Sequence, residues 1–291
     1  MNEIEVVLAS ADQLGESPLW SIDEQTLYWV DDVQGIIHRL RPATGSHETF
    51  TTGIYIGMIA LRQSGGLALT TRTGFAIWEP GISEPRPLAQ PEQGKPHMTF
   101  NDGAVDCAGH LWSGSMNQNE LPPPVGTLYR LDPGGTVTPM LAPVGLPNGI
   151  GWSPDNRVMY FTDSLLRTIF AFDFDPDGGT ITNQRVFVHD SRGSTIPDGL
   201  TVDAEGYVWS ACWGTGQIVR YTPSGAVDSV LQLPVPNVTS CIFGGLDLNE
   251  LYITTAREGL SHEQQQQYPL SGALFRLKTT TRGREEFKFR G

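Results

Sequence analysis

Four short motifs in this 291-residue chain carry an oxygen-bearing side chain at or near their start. They are Gly15-Glu16-Ser17-Pro18-Leu19-Trp20, Asn101-Asp102-Gly103, Pro147-Asn148-Gly149 and Pro197-Asp198-Gly199. Carboxylate and amide oxygens suit a hard cation such as Ca²⁺, Mg²⁺ or Mn²⁺ better than a soft one. Brought to one point, Glu16, Asn148 and Asp198 would hold such an ion and leave positions for water and substrate, as a catalytic metal requires. The alternative is structural, because Asn-Gly and Asp-Gly pairs are ordinary turn formers. Glu16 has no such explanation.

The spacing of these motifs supplies a means of convergence. They belong to a unit that recurs about every 45 residues, with leading positions 16, 58, 101, 148, 198 and 240. Each leading residue precedes an apolar run, a turn and a second apolar strand, such as Leu27-Tyr28-Trp29, Met159-Tyr160-Phe161 and Leu251-Tyr252-Ile253. Strand-rich repeats of this period mean a β-propeller. The expectation is an all-β, six-bladed β-propeller of four-stranded antiparallel blades with a central metal site. It should be one domain over residues 1–291, since a single blade cannot bury both of its faces. The mouths of the innermost strands then surround the channel axis. Ile4–Leu8 and Ala273–Leu277 read as strands that share the last blade and remove a free edge.

Two insertions interrupt the pattern, one over residues 117–127 and one between Ala256 and Leu274 that contains Gln264–Gln267. In an up-and-down meander the loop joining the second and third strands lies on the same face as the entry to the first. Both insertions should therefore rim the face that carries Glu16, Asn101, Asn148 and Asp198, where loops set specificity. If the segment before Asn101 is extended, His97, Thr99 and Asn101 point to one side at period two.

Other chemistries are absent from the sequence. There is no Gly-x-Ser-x-Gly elbow, no phosphate-binding glycine loop and no His-Glu-x-x-His. Cys107, Cys212 and Cys241 have no metal-ligand spacing and read as buried small apolar residues of a reducing cytoplasm. A net charge of -13 argues against nucleic acid and against an anionic membrane surface. The start, Met1-Asn2-Glu3-Ile4-Glu5, lacks the basic and apolar stretches of a secretion signal, so the expected location is cytoplasmic.

At Gly15–Trp20, Asn101–Gly103, Leu146–Gly149 with Ser153-Pro154-Asp155, and Pro197–Gly199, the chain resembles the regucalcin, gluconolactonase and luciferin-regenerating-enzyme family. The resemblance covers nearly the whole chain in order and spacing. It implies a six-bladed propeller with one catalytic divalent cation on the axis, Ca²⁺ first, with Zn²⁺, Mn²⁺, Mg²⁺ or Fe²⁺ as alternatives. The family's metal ligands match Glu16, Asn148 and Asp198, and its substrate-binding asparagine matches Asn101. An arginine of the regucalcin-like pattern falls at Thr99, and a lid carboxylate falls at Asn119, with Glu120 adjacent. The implied function is a metal-dependent lactonase acting on a small sugar-acid lactone, with Asp198 as the catalytic base and Asn101, Thr99, Asn119, Glu120 and His97 facing substrate. The alternatives are a paraoxonase-like hydrolase of other esters or phosphotriesters, and a non-catalytic calcium-binding propeller.

Overall fold

The computed structural model describes residues 4–118, 123–190 and 195–291. They form six four-stranded antiparallel sheets arranged as a six-bladed β-propeller. Blades 1 to 6 begin at the inner strands Gly15–Ser21, Ile59–Leu61, Met98–Val105, Pro147–Trp152, Ile196–Val202 and Val238–Gly244. Blades 1 to 5 each consist of four consecutive strands. Blade 6 takes its outermost strand, Ile4–Leu8, from the start of the chain, paired to Leu274–Lys278 with Ile4 opposite Leu277 and Val6 opposite Phe275. Arg276 clips this seam, bonding Glu5 at 2.7 Å and Glu250 at 3.1 Å. The shared last blade is as the sequence implies, with the third strand starting one residue later.

Burial falls from the axis outward. The inner strand Gly15–Ser21 is buried throughout, whereas the outer strand Val227–Gln232 is almost wholly exposed. Inner strands are covered on both faces by adjacent blades, so that even their polar residues are largely buried. Large side chains fill the gaps between blades. Trp112, Trp152 and Phe161 pack in one cluster, and Trp209, Phe243 and Phe275 in another. Each such side chain contributes roughly 2–3 kcal/mol by leaving water. Asp106 and Asp203 turn the chain identically in blades 3 and 5. Each accepts the indole of the following tryptophan, Trp112 at 2.8 Å and Trp209 at 2.9 Å, and two turn amides besides.

The feature that matters most for the site is a bulge at the head of the inner strands. The ladder register shifts between Glu16 and Leu19, Phe100 and Gly103, Pro147 and Ile150, and Pro197 and Leu200. Blade 2 has no such shift, and its leading residue is Met58. A bulge re-aims side chains out of the pleat; these four coincide with the four oxygen donors, and a fifth, between Val238 and Ser240, falls at the head of blade 6. The Asn-Gly and Asp-Gly pairs therefore lie within strands and not in turns. The glycine of Asp102-Gly103 faces its own paired strand at Trp112, whereas those of the other two pairs answer to crowding between blades. A Cβ at Gly149 would meet the Leu200 amide at 2.4 Å, and one at Gly199 would meet Ser240 Oγ at 2.1 Å.

The opposite mouth is crossed by the C-terminal segment. Arg284 there bonds the carbonyls of Trp152 and Ser153 at 3.1 and 3.0 Å, and Phe289 is buried. Half-buried Glu286 lies in the same segment, and burial pushes its carboxyl up to about 7, against the pull of Arg284. A carboxyl whose folded pKa is raised binds its proton more tightly when folded, so its contribution falls as pH rises from about 4.5 toward 7. Glu286→Gln is expected to raise the thermal midpoint by a few degrees at pH 8 and to leave it unchanged at pH 4. Equal shifts at both pH values would show that the charge is not what matters.

Candidate active site

Glu16, Asn101, Asn148 and Asp198 line one cleft of about 440 Å³ at the mouth of the channel. The topology delivers them there from blades 1, 3, 4 and 5. Glu16, Asn148 and Asp198 are each at least nine-tenths buried. Asn148 is held from both sides. Its Oδ1 accepts Asn101 Nδ2 at 3.0 Å, and its Nδ2 donates to Ser164 Oγ at 2.8 Å. Ser164 in turn donates to the Pro197 carbonyl at 2.5 Å, linking blades 4 and 5 beside Asp198. Asn101 Nδ2 also donates to the Pro147 carbonyl at 2.8 Å, and its Oδ1 accepts the Tyr55 hydroxyl at 3.3 Å. Both amides are thus oriented by neighbours before any ligand arrives, the condition for a precise site.

The electrostatics are lopsided. Four carboxylates, Glu16, Asp32, Asp198 and Glu258, line the cleft with one guanidinium, Arg72. Burial first, and then the charges of Asp198, Asp102 and Asp32, hold the Glu16 carboxyl well above the usual range. The Ser17 amide at 3.0 Å offsets only part of this. A dication at this point would relieve both the burial and the repulsion. Among the described residues no three His, Cys, Asp or Glu side chains cluster at metal-binding spacing. An ion here would therefore rest on two carboxylates completed by amide oxygens, a donor set that fits a hard cation.

Other expected site residues fall differently. Thr99 lines the cleft but is only 2% exposed, and its hydroxyl donates to the Phe100 carbonyl at 3.3 Å. His97 is exposed, precedes the strand Met98–Val105 and is not among the cleft's lining residues. Asn119 and Glu120 lie outside the described residues, as does part of the proline run, Pro122. Both insertions do reach the cleft, through Gln118 from one and through Glu258 and Gly259 from the other. The glutamine run forms a short surface helix, His262–Gln267, capped by Ser261. Cys212 and Cys241 are buried, and burial pushes the Cys212 thiol up to about 12. Cys107 is only half-buried, a departure from the expected burial that arises because it sits on a turn.

The residues that sequence reasoning missed are Asp32, Tyr55, Arg72, Ser164, Trp213 and Glu258. Only the pair Asp32 and Ser164 left a readable sign: each follows an aspartate, Asp31 or Asp163, at the end of a second strand. Arg72 extends over the Tyr55 ring, 4.9 Å from its centroid, and donates to Gln118 Oε1 at 3.0 Å.

The inner strands of the six-bladed propeller bring carboxylate and amide oxygens together in one cleft at the mouth of the channel. Residues 14–257 match the model of the SMP-30/Gluconolactonase/LRE-like region. The chain belongs to this family. It is 36% identical over 289 residues to a pentonolactonase of Haloferax volcanii, covering 97% of this chain and 96% of that protein. It is 36% identical over 294 aligned positions to a 6-deoxy-6-sulfogluconolactonase of Pseudomonas putida, covering 100% of both. The solved structure of a calcium-binding protein, regucalcin, from Agrobacterium tumefaciens has a TM-score of 0.95 at 26% identity, covering 100% of this chain and 98% of that one.

Proposed function

We propose that this chain hydrolyses sugar-acid lactones with one divalent cation held by Glu16, Asn148 and Asp198. The observation that carries the reading is the meeting of these three groups and Asn101 in one cleft, with Glu16 buried among like charges. The two lactonase relatives support the reaction class, and the calcium-binding neighbour supports Ca²⁺ as the first ion to test.

When bound, the cation supplies Lewis-acid polarisation of the lactone carbonyl. Asp198 takes a proton from the attacking water as the new carbon–oxygen bond forms. The bond from the acyl carbon to the ring oxygen then breaks, and the same proton passes to that oxygen, giving the hydroxy acid. Asn101 and Tyr55, already hydrogen-bonded to one another, orient the lactone and the water against Asp198.

A proton-release assay on aldonolactones tests this. Turnover is expected, with a loss of about 10²-fold or more on exhaustive chelation and recovery on adding Ca²⁺, the scale of a transition-state charge left unstabilised. Full activity after chelation would remove the cation from the reading. Stoichiometric cation binding with no turnover of any lactone or ester would make the chain a non-catalytic binding propeller.

A further inference from the structure

Blades 1 and 4 follow one pattern at the rim of the cleft, and position 32 departs from it. Asp31 accepts the amides of Gln13 and Leu14 at 2.7 and 3.3 Å, and Asp163 accepts those of Gly145 and Leu146 at 2.8 and 3.1 Å. The next residue does the same in both blades. The Asp32 amide donates to the Leu14 carbonyl at 3.1 Å, and the Ser164 amide donates to the Leu146 carbonyl at 2.9 Å. In blade 4 the Ser164 hydroxyl is used twice, accepting from Asn148 and donating to Pro197. In blade 1 the side chain is a carboxylate, 2% exposed, whose Oδ1 has no hydrogen-bond partner among the described residues.

A buried carboxylate oxygen without a donor is among the more destabilising arrangements a fold tolerates. Burial first, and then the charges of Glu258 and Asp31, hold the Asp32 carboxyl well above its usual range, and the Val33 amide and Arg72 offset only part of this. At the matching place in blade 4 a serine has both of its hydrogen bonds made within the protein. Asp32 forms part of the cleft wall together with Tyr55, Arg72 and Glu258. A ligand in the cleft is placed to supply the missing donor. The cation of the proposed reaction is assigned to Glu16, Asn148 and Asp198, which leaves the Asp32 oxygen to another partner. Hydroxyl groups fit this place. They donate to a carboxylate and accept from a guanidinium, and Arg72 has donors beyond the one it gives to Gln118.

We infer that Asp32 and Arg72 form a hydroxyl-recognition subsite on the wall of blades 1 and 2, reading the polyol part of the substrate away from its reacting carbonyl. This rests on the lactonase reading. It moves to residue 72 the guanidinium that the family resemblance places at residue 99, where this chain has a buried threonine.

The test uses Asp32→Ser, which installs the residue that blade 4 carries at the matching place, and Arg72→Met on an exposed side chain. The first probe is 1,5-anhydro-D-glucitol, a ring with sugar hydroxyls and no carbonyl, titrated by ligand-observed NMR. The parent is expected to bind it and Asp32→Ser to bind it about 10-fold or more weakly. The second probe is the ratio of kcat/KM for gluconolactone to that for γ-butyrolactone. That ratio should fall about 10–100-fold in Asp32→Ser and in the same direction in Arg72→Met, the range of a hydrogen bond to a charged group. A ratio unchanged within twofold, or no anhydroglucitol binding to the parent, overturns the subsite. If the parent turns over no lactone, the lactonase reading fails, and anhydroglucitol binding alone decides the subsite. If Asp32→Ser does not fold, Arg72→Met decides it by the same two measurements.

Discussion

Asp198→Asn is expected to lower kcat by about 10²–10⁴-fold at saturating cation, the scale of a positioned base. Asparagine keeps an oxygen where Asp198 has one but cannot accept the proton of the attacking water. The backbone on either side is pinned. The Pro197 carbonyl accepts Ser164 Oγ at 2.5 Å, and Gly199 lies so close to Ser240 that a Cβ would clash at 2.1 Å. The substitution should therefore leave the inner strand in place and report on proton transfer. Cation occupancy is measured by calorimetry under the conditions of the kinetic assay. Near-parent kcat at full occupancy would take Asp198 out of the proton-transfer role and leave it as a ligand only.

Glu16→Gln should act in two opposite directions. With cation present, affinity is expected to fall by about 10²-fold or more, since even a partner one step removed from a metal is worth 10–100-fold. With chelator present, the same variant should be more stable than the parent at pH 8. The Glu16 carboxyl is held above its ordinary value of 4.5 by burial and by Asp198, Asp102 and Asp32. Its folded form then binds a proton more tightly than its unfolded form, so the chelated parent loses stability as pH rises above about 4.5. Glutamine removes that slope. Thermal midpoints in chelator should converge near pH 4 and separate by pH 8, with the order reversed once the ion is added. A chelated variant no more stable than the parent at pH 8 would show that the buried charge is already compensated.

Much of the molecule is readable before any coordinates. The leading positions 16, 101, 148 and 198 carry oxygen donors, and their spacing makes each the head of an inner strand. A closed ring of such strands must then point them at one axis. Only local chemistry and a repeat are needed for this, which is why the pattern holds across four blades. Two of the glycines that follow the donors have a reason that no single unit contains. Their small size answers to the neighbouring blade at Gly149 and Gly199, contacts between segments about 40–50 residues apart.

The rest of the cleft has no such regularity. Tyr55 and Arg72 reach Asn101 and Gln118 from the entry of blade 2 and the loop after its second strand; the inner ladder of that blade has no bulge and its leading residue is Met58. Asp32 and Glu258 come from loops of different length in blades 1 and 6 and influence one another only because the ring closes. The chain by itself determined the blades, their order and the donors on the axis, because these depend on residue type and period within each unit. Only the tertiary structure decided which loop side chains wall the cleft and how strongly its carboxylates repel. Burial and Coulomb energy depend on distances across blades, and no single repeat contains them.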